Sequence, residues 1–145
     1  MRYDETEIRV RFNEVDSWGM VWHGHYLAWF EVGRMALLGK FQLLPQDFSR
    51  MGYFAPVVDL KCSYKEPARL NEEILVRTTV LKPSKAALTF RFQVLRKSDG
   101  KLLASGEETQ VLLTREGTML YFIPQDLQEK LRLLFDYLEE PESVA

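Results

Sequence analysis

The most reactive stretch of this sequence is NEVDSWGMVWHGHY, residues 13–26. It contains Asp16, a carboxylate that can act as a base or a nucleophile, and both histidines of the chain, His23 and His25. Rigid scaffolds place many of their binding and catalytic groups on connections between regular elements. We therefore treat this stretch as the first candidate for a functional site.

Each of these residues also has a purely structural interpretation. Asp16 and Gly19 suit the first and last positions of a type I turn, in which the carboxylate would bond local amides. His23 and His25 are two residues apart and no third ligand lies nearby, so ordinary hydrogen-bonded histidines are favoured over a zinc site. The local sequence weighs catalysis and turn formation about equally for Asp16, and it predicts no metal.

The elements that must position this stretch follow from hydrophobic periodicity. Residues 7–12, EIRVRF, alternate weakly and predict a half-buried strand. Residues 25–38 are apolar nearly all the way round a helix, which predicts a helix covered by protein on all sides. A helix stop, a loop and a short second helical turn are expected in residues 39–52.

From Pro56 onward the apolar pattern has a period of two and predicts four strands joined as an antiparallel meander. The predicted strands are VVDLKCSY, EILVRTTVLK, ALTFRFQVLRK and LLASGEETQVLLT. Asp99-Gly100 is a strong hairpin signal between the last two. Residues 124–138 predict an amphipathic helix that begins at Pro124. The chain thus reads as α+β, with a curved antiparallel sheet of about five strands wrapped around a long buried helix, plus a C-terminal helix.

Composition limits the possible functions. The 145 residues are 46% hydrophobic and show no repeat or linker, which predicts a single domain over residues 1–145. A net charge of -2 argues against nucleic-acid binding. The charged N-terminus and the lack of a long apolar run predict a cytoplasmic protein without membrane insertion. Cys62 is the single cysteine and reads as a buried structural thiol.

The segment VDSWGMVWHGHYLAWFEVGR resembles the signature of hotdog-fold acyl-CoA thioesterases of the 4-hydroxybenzoyl-CoA thioesterase type, including the subgroup associated with the Tol-Pal system. The resemblance covers most of the chain, and YKEPARLNEEILVRT is similar to the family's second and third strands. The matching positions combine an acid, a glycine, an aromatic and histidine pair, a tyrosine and a helical ion pair. They are Asp16, Gly19, Val21, Trp22, His23, Tyr26, Glu31 and Arg34.

This resemblance implies hydrolysis of an acyl-CoA to a carboxylic acid and free coenzyme A, with no metal or organic cofactor. A thioester expels the thiolate of a thiol with a pKa of about 8.5, so no strong general acid is needed. Asp16 could attack the carbonyl or deprotonate a water molecule, and the sequence leaves both roles open. Amides near His23 and Gly24 at the helix start are natural oxyanion donors, and the resemblance assigns that role to the backbone N–H of His23.

Further residues are expected to bind the substrate. Gly19 and Gly24 would let it approach the main chain. Val21 belongs to the family pattern and is expected to bind substrate. The aromatic residues of this region could line the acyl pocket, although aromatic residues at helical spacing are more often core. They are Trp18, Trp22, Tyr26, Trp29 and Phe30. The phosphates of coenzyme A would meet three cations and one serine, which lie in one turn and one preceding loop. Those residues are Lys82, Ser84, Lys85 and Arg69. The resemblance also implies a homodimer or homotetramer with the site between subunits.

Two alternatives remain. A hotdog-fold hydratase or dehydratase would pair a histidine with an acid, but HGHY, residues 23–26, lacks the HFPG pattern of the fatty-acid dehydratases. A non-catalytic acyl-thioester or protein-interaction module would use Asp16 only as a turn former. The acyl group, and the choice between coenzyme A and acyl carrier protein as the thiol carrier, are left open.

Overall fold

The computed structural model describes residues 2–83 and 85–140, which form an α+β structure. The strands are β1 Asp4–Arg9, β2 Tyr53–Phe54, β3 Val57–Tyr64, β4 Glu73–Val80, β5 Ala87–Arg96, β6 Leu102–Val111 and β7 Leu113–Thr114. The helices are a 3-10 turn at Phe12–Glu14, α1 His25–Gly39, α2 Pro45–Met51 and α3 Gln125–Glu139. Among the described residues no helix combines the length and apolarity needed to cross a membrane.

Five strands form one antiparallel sheet in the order β1-β4-β5-β6-β3, and β2 pairs with β7 beside it. The predicted meander is confirmed for β4, β5 and β6. It is wrong for β3, which lies at the far edge of the sheet against β6. Residues 65–72, which include Pro67, carry the chain from β3 at this edge to β4, on the far side of β5 and β6.

Helix α1 begins at His25 as predicted and packs on the sheet through aromatic and small residues. The ring of Phe30 stacks on that of Phe92, with centroids 4.5 Å apart. A Cβ atom at Gly106 would lie 2.2 Å from the Phe30 ring, so glycine at that position lets the helix reach the sheet. A Cβ atom at Gly33 would likewise lie 2.4 Å from Thr78 Oγ1. These contacts hold the helix close to β4, β5 and β6.

The outer face of α1 is not covered by the described residues. Ala28 and Glu31 are exposed, and Val32 is 41% exposed. This corrects the expectation of a helix covered on all sides, because a single sheet layer can bury only one face of a helix. The adjacent edge strand β3 also exposes apolar side chains, including Val58 and Leu60.

Two strand boundaries differ from those predicted. The first strand is Asp4–Arg9 rather than residues 7–12, and a 3-10 turn follows it. Asp4 is buried, and its Oδ1 accepts hydrogen bonds from the Lys40 ammonium and the Tyr137 hydroxyl. These distant partners let a polar strand start stay buried, which periodicity cannot reveal. The last predicted strand is interrupted at Leu112, beyond which β7 pairs with β2.

Candidate active site

Asp16 lies in a tight turn just before α1. Its Oδ1 accepts hydrogen bonds from the backbone N–H groups of Trp18 at 2.9 Å and Met20 at 3.4 Å. The Gly19 N–H donates to the Asp16 carbonyl at 3.0 Å, and Gly19 has a left-handed φ of 77°. Asp16 is therefore a turn former, as the structural interpretation predicted, and Gly19 serves the turn through its backbone conformation.

The turn uses only one oxygen of the Asp16 carboxylate. Within the described residues Oδ2 accepts no hydrogen bond, and the side chain is half-buried. Asp16 lines an open cavity of about 310 Å³ beside the start of α1. The other lining residues are Trp18, Met20, Val21, His23, Tyr26, Tyr64, Lys65, Glu66 and Pro67. The carboxylate can thus form the turn and still present one oxygen to a ligand.

Two backbone N–H groups just before α1, those of His23 and Gly24, are unpaired hydrogen-bond donors in the described part of the chain. Neither the N–H of His23 nor that of Gly24 donates a hydrogen bond within residues 2–83 and 85–140. The next N–H, that of His25, bonds to the Trp22 carbonyl at 3.0 Å. Unpaired amides at a helix N-terminus favour an anion or a developing negative charge. A half-buried carboxylate and two amides unpaired among the described residues therefore lie within nine residues of each other at the start of α1.

Gly24 also has a structural reason to be glycine. A Cβ atom at Gly24 would lie 2.1 Å from the indole ring of Trp22, so this ring already fills the space that a side chain would need. The Trp22 ring also packs on the imidazoles of His23 and His25, with centroids 4.9 and 5.4 Å apart. Trp22 is not among the residues that line the Asp16 cavity. It packs on the helix start.

Val21 and Tyr26 line the cavity as the sequence predicted, and both are anchored by Ala68. The Val21 N–H donates to the Ala68 carbonyl at 2.9 Å, and the Ala68 N–H donates to the Tyr26 hydroxyl at 3.0 Å. Burial raises the pKa of Tyr26, so its hydroxyl stays neutral. Ala68 thus links the loop before β4 to the helix start.

Sequence reasoning missed Glu14. This carboxylate is buried and accepts hydrogen bonds from the Trp29 indole N–H and the Arg11 amide, both at 2.8 Å. Burial alone would raise its pKa, but the hydrogen bonds of Arg11 and Trp29 outweigh burial and lower the pKa. Glu14 therefore ties the turn before Asp16 to helix α1. Its position two residues before Asp16 was the only signal in the sequence.

The residues expected to bind coenzyme A phosphates are divided between two ends of the sheet. The backbone of Arg69 pairs with that of Met20 beside the Asp16 turn, and its side chain is exposed. Lys82 and Lys85 follow β4 at the opposite end and line a different cavity, of about 590 Å³. Ser84 lies outside the described residues. Within one chain these cations do not share the Asp16 cavity.

The remaining candidates are mostly structural. Trp29 and Phe30 are buried in the core. Arg34 pairs with Glu31, as predicted, and also with the buried Glu108 of β6. The described residues contain no group of three or more His, Cys, Asp or Glu side chains placed to hold a metal.

Cys62 is half-buried rather than fully buried, and this burial raises the pKa of its thiol. A thiol with a raised pKa is a poor nucleophile at neutral pH, which fits a structural role.

Residues 10–131 match the model of the thioesterase-like superfamily, so the chain belongs to that superfamily. This confirms the resemblance to hotdog-fold thioesterases, and the class of the protein is a thioester hydrolase. Among curated relatives, the chain is 41% identical over 80 residues to a Bacillus subtilis (strain 168) protein provisionally named acyl-CoA thioesterase YneP. That alignment covers 55% of this chain and 58% of the relative's length.

Solved structures show the same fold. The hypothetical protein TT1821 from Thermus thermophilus has a TM-score of 0.80 and 34% identity, over 90% of this chain and 98% of its own. The DHNA-CoA thioesterase from Staphylococcus aureus has a TM-score of 0.81 and 26% identity, over 99% of this chain and 100% of its own.

Proposed function

We propose that this protein hydrolyses acyl-CoA thioesters to a carboxylic acid and free coenzyme A, with Asp16 as the nucleophile or general base. One observation carries this proposal: Asp16 keeps a free carboxylate oxygen and lines one cavity with His23, and the His23 and Gly24 amides have no acceptor among the described residues. The acyl-CoA thioesterase name of the relative YneP supports coenzyme A as the thiol carrier.

Both chemical routes balance without a metal or an organic cofactor. In the first, Asp16 attacks the thioester carbonyl, the C–S bond breaks, and water then cleaves the mixed anhydride. In the second, Asp16 takes a proton from a water molecule whose oxygen attacks the carbonyl, and collapse of the tetrahedral intermediate breaks the C–S bond. The His23 N–H would bind the oxyanion in either route.

The direct test follows free thiol with a thiol-reactive dye. Wild-type protein is offered a panel of short, long and aromatic acyl-CoAs, together with an acyl carrier protein thioester. We expect release of one thiol for each acid formed, fastest for one acyl class. No thiol release from any member of the panel would contradict the proposal. Release only from the acyl carrier protein thioester would mean that acyl carrier protein, rather than coenzyme A, carries the acyl group.

We also propose that the protein is a homodimer or a dimer of dimers, paired through β3. This strand is an exposed edge of the sheet, and its Val58 is 57% and its Leu60 is 40% exposed. An open apolar edge is a template for pairing with a second copy. Antiparallel pairing of two β3 strands about a two-fold axis would continue the sheet and cover both helices.

Light scattering tests the pairing. Wild-type protein should be a dimer or tetramer at micromolar concentration, and Leu60→Lys should be a monomer with reduced activity. Leu133→Lys is the matched control, because Leu133 is 54% exposed but lies on α3. A monomeric wild type, or a Leu60→Lys variant that assembles like the control, would contradict this interface.

In such a dimer, Lys82 and Lys85 could serve the active site of the partner subunit, although they do not line the Asp16 cavity of their own chain. Antiparallel pairing of β3 with its copy places the start of one strand beside the end of the other. The groove that Lys82 and Lys85 line with Arg132, Tyr121 and Phe122 would then lie on the side of the partner's Asp16 cavity. We propose that these cations contact the coenzyme A phosphates and that the exposed aromatic rings contact the adenine.

This assignment predicts a change in substrate binding. Replacing Lys82 and Lys85 with alanine should raise KM for acyl-CoA severalfold and weaken its salt dependence, with kcat little changed. Lys97→Ala is the control, because Lys97 pairs with Glu7 on the opposite side of the sheet. An equal loss for a truncated acyl thioester without the nucleotide would refute the phosphate contact.

A further inference from the structure

Tyr64 is an active-site residue that the sequence analysis did not single out. It is the last residue of the edge strand β3, and its hydroxyl donates a hydrogen bond to the His23 carbonyl at 2.8 Å. Its ring stands edge-on to the rings of Tyr26 and His23, with centroids 5.2 and 6.3 Å apart. Tyr64 also lines the cavity that contains Asp16.

The hydrogen bond acts on a peptide unit that carries a free donor. The His23 carbonyl and the Gly24 N–H belong to the same planar peptide group and point in opposite directions. A donor on the carbonyl therefore orients the N–H and also polarises it, which strengthens the N–H as a donor. The Gly24 N–H has no acceptor within the described residues, and it directly follows His23, which lines the Asp16 cavity.

The preceding peptide is held in the same way. The Trp22 carbonyl, which shares a peptide group with the His23 N–H, accepts a hydrogen bond from the His25 N–H at 3.0 Å. Each of the two free donors at the helix start thus has its carbonyl anchored, one by the helix itself and one by a side chain from β3. The Tyr64→Phe substitution removes the side-chain anchor, because it deletes only the hydroxyl group.

We propose that Tyr64 is a positioning residue that orients the Gly24 N–H as a second donor to the oxyanion formed during thioester hydrolysis. The inference rests on the proposed function. Tyr64 touches the backbone of the site and moves no proton itself. Its role is to keep two adjacent amides aimed at one oxygen, a preorganisation that lowers the barrier without reorganisation during the reaction.

The tyrosine hydroxyl stays protonated at any ordinary working pH. Burial, together with the neighbouring Cys62 and Tyr26, raises the pKa of Tyr64 to about 12. The donor therefore persists where a thioesterase would be assayed. The Trp22 ring packs against Gly24, next to the same peptide group.

The test compares Tyr64→Phe with Tyr53→Phe. Tyr53 is the matched control because its hydroxyl also makes one tertiary hydrogen bond, to Asp126 at 3.1 Å, at a distance from the site. In Tyr64→Phe we expect kcat to fall about tenfold with KM unchanged, a smaller loss than the roughly hundred- to thousandfold cost of removing an oxyanion donor outright. Tyr53→Phe should keep wild-type kcat.

Two further readouts separate positioning from stability. The backbone ¹⁵N resonance of Gly24 should shift in Tyr64→Phe, because the carbonyl of its own peptide group has lost a donor, and the melting temperature should match that of Tyr53→Phe. A ring-fluorinated tyrosine at position 64 keeps the ring and lowers the hydroxyl pKa. With it, kcat should fall as the pH passes that lower pKa.

Unchanged kcat in Tyr64→Phe, or an unmoved Gly24 resonance, would overturn the positioning role while leaving the thioesterase proposal intact. A parallel loss of kcat and melting temperature, with no pH-dependent loss in the fluorinated protein, would also overturn it. Failure of the wild-type protein to release thiol would instead remove the proposed function, on which this inference depends.

Discussion

The two ends of helix α1 treat their polar groups differently. At the C-terminal end Asp4 is 3% exposed; its Oδ1 accepts hydrogen bonds from the Lys40 ammonium and the Tyr137 hydroxyl, and its Oδ2 is buried with no hydrogen-bond partner among the described residues. At the N-terminal end Asp16 is half-buried with one oxygen free, and two adjacent amides have no acceptor among the described residues. The two ends therefore differ in access: the unpaired Asp4 oxygen is buried away from solvent, whereas Asp16 lines an open cavity. Groups left free beside a cavity are available to a ligand.

We call the C-terminal end of α1, with Asp4 and Lys40, the closed end, and the N-terminal end, with Asp16, the open end. The pKa of Lys40 shows how the closed end stabilises the fold. Burial alone would lower this pKa, but the hydrogen bond and charge of Asp4 outweigh burial and raise it. A raised pKa means that the ammonium is favoured in the folded state. Its contribution to stability is therefore complete below the unfolded pKa of about 10.4 and is lost as the pH rises through the folded value.

The largest effect should come from the open end. In Asp16→Asn, kcat should fall at least about a hundredfold, because the amide has no basic or nucleophilic oxygen. The melting temperature should change little, since the Asn carbonyl can still accept from Trp18 and Met20. Kinetics on the best acyl-CoA and a thermal melt measure both.

Asp99→Asn is the matched control for this variant. Asp99 also accepts a turn N–H, that of Lys101 at 3.0 Å, but lies in the hairpin between β5 and β6. Its replacement should leave kcat near that of wild type. An Asp16→Asn enzyme as active as this control would show that Asp16 only forms the turn.

The closed end should respond in the opposite way. Asp4→Asn removes the charge that bonds Lys40 and should lower the free energy of unfolding by about 1.5–3 kcal/mol, the usual range for hydrogen bonds to charged groups. The kcat at 25 °C should be unchanged. Urea unfolding and steady-state kinetics test this prediction. An Asp4→Asn protein with wild-type stability but a lower kcat would contradict a purely structural role for the closed end.

Glu14 allows a test by pH, because it is a buried carboxylate at the open end. Its folded pKa is lowered, so its contribution to stability is present above the unfolded pKa of about 4.3 and is lost as the pH falls through the folded value. The wild-type urea midpoint should therefore fall more between pH 5 and pH 3 than that of Glu14→Gln. If the urea midpoints of wild type and Glu14→Gln fall by the same amount over this pH range, protonation of Glu14 is not linked to unfolding.

The smallest effect is expected at His23. If its backbone N–H binds the oxyanion, His23→Ala keeps the donor and should change kcat by less than about threefold, whereas losing an oxyanion donor costs at least about a hundredfold. A thermal melt confirms folding. A well-folded but inactive His23→Ala protein would mean that the imidazole, rather than the amide, carries the chemistry.

Local patterns predicted the elements well. The start of α1, the bounds of β3 and the Asp99-Gly100 hairpin depend on residues close in sequence, and all three are confirmed. The Asp16 turn was also predictable, because its bonds join residues within four positions. The site was located from the sequence to this extent.

Long-range partners could not be predicted. Tyr64 meets His23 across 41 positions, and Ala68 meets Tyr26 across 42. Glu14 meets Trp29 across 15. Periodicity describes which face of an element is apolar, but it does not tell which residues of other elements face it. For the same reason the placement of β3 at the far edge of the sheet was missed.

By itself the sequence determined the types of element, the helix start at His25, and the presence of one carboxylate beside free helix amides, because neighbours along the chain decide backbone conformation and turn chemistry. The tertiary structure alone decided that β3 is an open edge and that its last side chain reaches the helix start. It also decided that Lys82 and Lys85 lie far from the Asp16 of their own chain. Those facts depend on strand order, which arises from packing of the whole chain rather than from any local preference.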